Sequence, residues 1–198
     1  MIELSDWLQE SYCDGETLLK SSTLLKSQPL QTLQLQHFFQ EQKLKEIYAE
    51  ILRSVTKKKY IPNQHSYRTV LKIRATDLLH SFLLFCESPL FTSYVSFITK
   101  KEYAYVTATI KIFSAGDYKV IHDMSVQGKA KVLIDCTPVW NQQNGGYYGL
   151  QKEDETLIIA PCWNSITLCA DSKVRDFVKY ITHHAKKEKR VCIELLYE

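Results

Sequence analysis

The hydrophobic pattern changes period near residue 100, and that change limits the folds open to the chain. Before it, apolar residues recur at helical spacing. Leu4, Trp7 and Leu8 form one short stripe, and Leu18, Leu19, Leu24 and Leu25 a second. Leu44, Ile47, Tyr48, Ile51, Leu52 and Val55 make the apolar face of an amphipathic helix of about three turns. Thr76 suits an N-cap for a helix carrying Leu78, Leu79, Phe82, Leu83 and Phe85. The Ser88-Pro89 step breaks that helix, and Phe91, Tyr94, Val95 and Ile98 mark another. Only 31–39 alternates in this half, which predicts a lead-in strand.

After residue 100 the period falls to two. Strands are expected over 103–109, 118–122, 131–137, 147–150, 156–160, 165–170, 175–181 and 190–197, with turns at Gly116-Asp117 and Asn144-Gly145-Gly146. About eight strands without a long helix between them predict antiparallel pairing. The reading is an α+β chain with a mainly β C-terminal half, in a jelly-roll or cupin-like barrel flanked by N-terminal helices.

A chain of 198 residues has room for one domain with a helical annex. Hydrophobic residues at 45% and charged residues at 24% exclude global disorder. A net charge of +3 is too mild to signal a nucleic-acid partner. The basic runs Lys57-Lys58-Lys59 and Lys186-Lys187-Glu188-Lys189-Arg190 read as solvated turns. None of the six cysteines stands at C-x-x-C spacing, which argues against a zinc ribbon or a thioredoxin-type site. Most lie in apolar runs and read as reduced, hence an intracellular protein. With no signal-like N-terminus and no membrane-length apolar run, a cytoplasmic or nuclear location without a membrane partner is expected.

Several local motifs carry a resemblance. Phe113-Ser-Ala-Gly116-Asp-Tyr-Lys-Val-Ile-His122-Asp123-Met124 resembles the strand–turn–strand ending in His-Asp-Asp of ribosomal prolyl hydroxylases, a branch of the 2-oxoglutarate/Fe(II) dioxygenases. Trp140…Gly145-Gly146-Tyr-Tyr-Gly-Leu150 and Pro161-Cys-Trp163-Asn164 are similar to the family's Trp…Gly-Gly strand pair and its Pro-x-Trp-Asn step. Arg175-Asp176-Phe-Val178 stands where the family has Phe-His-x-Val, and Arg190–Tyr197 resembles its last core strand. The resemblance covers roughly 28–198. It implies a double-stranded β-helix domain with helical support over 40–98 and core strands over 101–198, preceded by a helical extension over 1–27. It also implies a one-domain version, without the second, non-catalytic β-helix of larger members.

Family enzymes hold Fe(II) with two histidines and a carboxylate. The metal candidates implied here are His122, Asp176, which stands 54 residues downstream at the second histidine's station, and Asp123. Met124 occupies the usual carboxylate position. Asp123 is one residue off, and so faces the other side of a regular strand. The cofactor-binding candidates are Arg190, matching the arginine that clamps 2-oxoglutarate, and Asn164. Phe113 and Cys136 stand for two tyrosines of the co-substrate pocket. The reading is a degraded metal site, no catalytic residue and no resident cofactor, in a module binding a protein partner, ribosomal by resemblance, through the face near Tyr147-Tyr148. The alternative is an active prolyl hydroxylase using Fe(II) and 2-oxoglutarate at an atypical site. A cupin-like small-molecule binder, with a dry interior lined by Phe113 and Cys136, is a third class. His183-His184 reads as a solvent-exposed basic turn, six residues before Arg190 and too near for the family's His-to-Arg span; the local alternative for Arg190 is to cap a turn or pair with Glu188.

Overall fold

The structure is a computed structural model that describes residues 3–53, 56–61, 66–71, 77–121 and 130–198. Among the described residues four α-helices lie in the first half: α1 (Gly15–Ser27), α2 (Glu41–Arg53), α3 (Asp77–Glu87) and α4 (Pro89–Thr99). Asp14 caps α1 by accepting from the amides of Glu16 and Thr17. Ser88 ends one helix and caps the next, its hydroxyl accepting from the Phe91 amide ahead of Pro89 at N1. Thr76, expected as a cap for α3, lies outside the described residues.

Among the described residues eleven strands follow the order β1-β9-β6-β11-β4-β3-β5-β10-β7-β8, with β2 paired to β3, and every pairing described is antiparallel. They are β1 (Thr32–Gln36), β2 (Thr56–Ile61), β3 (Ser66–Leu71), β4 (Tyr105–Phe113), β5 (Tyr118–Lys119), β6 (Ala130–Asp135), β7 (Tyr148–Lys152), β8 (Glu155–Ile159), β9 (Ser165–Cys169), β10 (Arg175–Val178) and β11 (Arg190–Tyr197). The path folds over on itself. Lys131 of β6 ion-pairs with Asp176 of β10, five places away in the strand order. The strands β9-β6-β11-β4 thus face β5-β10-β7-β8 across a shared interior, the double-stranded β-helix.

The period of two decides what each face meets. Along β11, Val191, Ile193, Leu195 and Tyr197 point to the helices, where they join Phe82, Phe85, Phe91 and Ile98 in the main core. Arg190, Cys192 and Glu194 alternate with them and point into the barrel. Residues 3–27 pack on the same helical layer. Trp7, Leu8 and Leu25 are core residues, and Trp7 lies 5.3 Å from Phe82.

Three expectations need correction. The tri-lysine run is not a turn: it lies in β2, so the helical support over 40–98 contains a β-hairpin. Among the described strands β2 pairs with β3 alone, and an edge strand tolerates lysines. The lead-in strand stops at Gln36, because His37 adopts φ 53° and the turn buries both Phe38 and Phe39. The strand predicted over 103–109 runs on to Phe113. All six cysteines are free thiols.

Candidate functional site

Charged residues stand inside the barrel. Lys111 of β4, Lys119 of β5 and Lys131 of β6 converge on Asp176 of β10 and Glu194 of β11. Four of these five side chains are no more than about a tenth exposed, and Lys131 is 19% exposed. One carboxylate oxygen of Asp176 accepts from the Lys119 ammonium and the other from that of Lys131. Glu194 pairs through Oε1 with Lys111. Its Oε2 and the buried Tyr148 hydroxyl have no hydrogen-bond partner among the described residues.

Three ammonium groups around two carboxylates set the titration of this end. Burial pushes Asp176 up, but Lys131, Lys119 and Lys111 together outweigh it and hold the carboxyl well below its ordinary range. Burial likewise opposes Glu194, and Lys111 and Lys131 bring it down to about 2. Lys131 loses to burial and gains more from Asp176 and Glu194, so its pKa is raised.

A second ion pair lies at the start of β11. Arg190 is 1% exposed; its Nη1 donates to the Gly146 carbonyl and its Nη2 lies 3.6 Å from Asp135 Oδ2. Asp135 Oδ1 accepts from the Thr137 amide at 2.9 Å. Gly146 presents its carbonyl from φ +67°, and a Cβ there would meet Ile181 at 3.0 Å. Phe113 is the cross-strand neighbour of Arg190. Burial raises the Asp135 carboxyl, and the single guanidinium does not offset it.

Asp176 and Arg190 therefore both point into the interior, in separate ion clusters. His122, Asp123 and Met124 lie outside the described residues. Among the described residues no three His, Cys, Asp or Glu side chains group as metal ligands. Asn164 joins neither cluster. Fully buried at φ 54°, it accepts from the Phe39 amide through Oδ1 and donates to the Phe39 carbonyl through Nδ2, both at 2.8 Å. That amide staples the β8–β9 turn to the chain entering α2.

Cys136 is misplaced in the sequence reading. It packs on the helix side of β6, and the interior residue is Asp135, because adjacent strand residues face opposite ways. The interior is accordingly not the dry apolar one of a cupin-like binder. Tyr148 is buried at 3% exposure, so of the tyrosine pair only Tyr147 faces outward, with Lys179 5.8 Å from its ring centroid. Glu188 bonds Asn144, not Arg190. His183 and His184 sit exposed in a short 3-10 turn.

Lys111, Lys119, Lys131, Asp135 and Glu194 were missed as site residues. Their signal is a charge set inside an apolar alternating run, as in Ile110-Lys111-Ile112 and Lys131-Val-Leu-Ile-Asp135.

A crystal structure of a 2OG-Fe(II) oxygenase family oxidoreductase from Burkholderia pseudomallei superposes with a TM-score of 0.70 at 14% identity, covering 91% of this chain and 90% of that one. A prolyl hydroxylase from Trichoplax adhaerens, in complex with a hypoxia inducible factor oxygen degradation domain peptide fragment, gives 0.67 at 16% identity over 94% of each chain. A Pseudomonas putida prolyl-4-hydroxylase gives 0.66 at 11% identity, over 91% and 98%. Such identities carry the fold alone. No curated protein matches the sequence. The family model described as oxoglutarate and iron-dependent oxygenase degradation C-term matches residues 1–198, and the chain belongs to that family.

Proposed function

We propose that this β-helix is a non-catalytic module that binds a protein partner, with ribosomal proteins the class the sequence resemblance suggests. The observation that carries the reading is the state of Asp176. It stands where the family places its second histidine, and both of its oxygens are engaged by lysine ammonium groups. A divalent ion at that carboxylate meets Lys119, Lys131 and Lys111. A pair of unit charges about 4 Å apart at an effective dielectric of 20 is worth about 4 kcal/mol, and the ion carries two. Fe(II) does not suit this donor set.

The co-substrate fits no better. Arg190 already faces the Asp135 carboxylate. A family description naming a C-terminal region also suits the non-catalytic β-helix that larger members carry as a second domain.

Partner recognition is supported by the fold neighbour that holds a peptide fragment, and by an apolar groove outside β5 and β10. Tyr118, Val120, Phe177 and Tyr180 line that groove, with Val120 42% and Tyr180 45% exposed. Exposed aromatic surface of this kind favours interfaces.

Calorimetric titration of the intact chain with Mn(II), with and without 2-oxoglutarate, tests the catalytic half of the reading. No stoichiometric heat is expected. Micromolar, one-to-one binding would reject it.

A further inference from the structure

We propose that Asp135 is the resident anion of Arg190: a carboxylate of the chain's own fills the arginine's anion site, which accepts a free small carboxylate once Asp135 is removed. This extends the reading above to the end of the barrel that the lysines do not reach.

Arg190 is buried to 1%, and a guanidinium cannot shed its charge inside a protein. Such a group needs an anion or carbonyls around it. The Gly146 carbonyl satisfies Nη1, and Asp135, 3% exposed, supplies the only carboxylate ion-paired with Arg190 among the described residues. The pair is loose at 3.6 Å, and Nε has no partner among the described residues. Arg190 thus keeps donor capacity that Asp135 leaves unused, which a mobile carboxylate free to re-orient would fill.

The Thr137 amide adds a donor on the far side, at 2.9 Å from Asp135 Oδ1. Together these groups outline a one-carboxylate cradle closed by a side chain. Substituting alanine deletes that carboxylate and leaves a void of its size, with Arg190 and the Thr137 amide still aimed at it. Formate matches the deleted group.

The test is chemical rescue. Asp135→Ala is melted in formate, in acetate and in chloride at equal ionic strength, beside the wild type and the double variant Asp135→Ala/Arg190→Lys. Formate at about tenfold over its Kd is expected to raise the Tm of D135A by about 3–6 °C over chloride. The wild type and the double variant are expected not to respond, and acetate to act more weakly because its methyl has no room. Equal Tm values for D135A in formate and chloride overturn the proposal, as does an equal formate shift in the wild type. Should D135A not fold in chloride, refolding from urea replaces melting: recovery in formate alone supports the proposal, and recovery in neither salt overturns it. Failure here leaves the Mn(II) titration unaffected, and Mn(II) binding by the wild type leaves the rescue unaffected, so the two readings fall separately.

Discussion

The two ends of the barrel bury an aspartate each and treat it in opposite ways. Asp176 has Lys119 and Lys131 on its two oxygens, with Lys111 close behind, and is held ionised far below its ordinary range. Asp135 has one guanidinium at 3.6 Å, and burial pushes its pKa up. Both are buried and both are paired. What differs is the number and closeness of the opposing charges, and that number decides whether desolvation or attraction wins. The over-compensated end is the one holding Asp176, which the sequence resemblance alone sets at a metal-ligand station. Ammonium groups there supply positive charge from the chain itself.

The comparison predicts unequal costs. Asp176→Ala leaves three buried ammonium groups facing Glu194 alone, and is expected to cost about 3–5 kcal/mol in urea unfolding. Replacing Lys119, Lys131 and Asp176 together by leucine or methionine removes the charges as a set. That triple variant is expected to be neutral or up to about 4 kcal/mol more stable than the wild type. A triple variant as unstable as D176A would mean that the cluster stabilises the fold by more than mutual compensation. At the other end Asp135→Ala, measured without carboxylates, strips the anion from one buried guanidinium rather than from three ammonium groups, and is expected to cost less, about 3 kcal/mol.

The pH dependence separates the ends by sign. Asp176 and Glu194 titrate lower in the folded chain than in the unfolded one. Their contribution is full above the ordinary carboxyl value and is lost as pH falls through the folded one, for Glu194 from 4.5 down to about 2. Asp135 titrates higher when folded. Its effect is most favourable below 3.8 and is lost as pH rises through the elevated value. Urea midpoints followed from pH 6 to about pH 2 are therefore expected to fall less steeply in Asp176→Asn than in the wild type, and more steeply in Asp135→Asn. Parallel profiles for the two variants would erase the distinction between the ends.

The contrast also explains what could be read in advance. The strand β11 was legible because Val191, Ile193, Leu195 and Tyr197 alternate in sequence, and the structure packs that face into the main apolar core. Arg190 and Asp176 were singled out because motifs flank them, and both lie in interior ion pairs. The lysines were not, since a lysine in a strand reads as solvent-facing until its partner is known, and Lys119 and Lys131 meet Asp176 across 57 and 45 residues. Asp135 was lost to a slip of one residue: aligning Cys136 with a pocket tyrosine put the wrong parity of β6 inside. The β2–β3 hairpin was hidden because Lys57-Lys58-Lys59 carries no alternation.

The smallest expected effect tests whether the lysine-rich end is as fully compensated as its titration implies. Tyr148 is an interior residue of β7, with Leu150, and is buried among Asp176, Glu194, Cys169 and Cys192, yet its hydroxyl has no partner among the described residues. An unpaired buried hydroxyl carries a desolvation cost with no bond to offset it. Tyr148→Phe keeps the ring and deletes the oxygen, so it is expected to range from neutral to about 1 kcal/mol stabilising. The same change at Tyr197, whose hydroxyl donates to the Cys86 carbonyl at 3.0 Å, is expected to cost about 1 kcal/mol instead. If Tyr148→Phe destabilises as much as Tyr197→Phe, the hydroxyl is bonded in solution. Glu194 Oε2, the other unpartnered oxygen of that end, is then the acceptor to look for, directly or through one water.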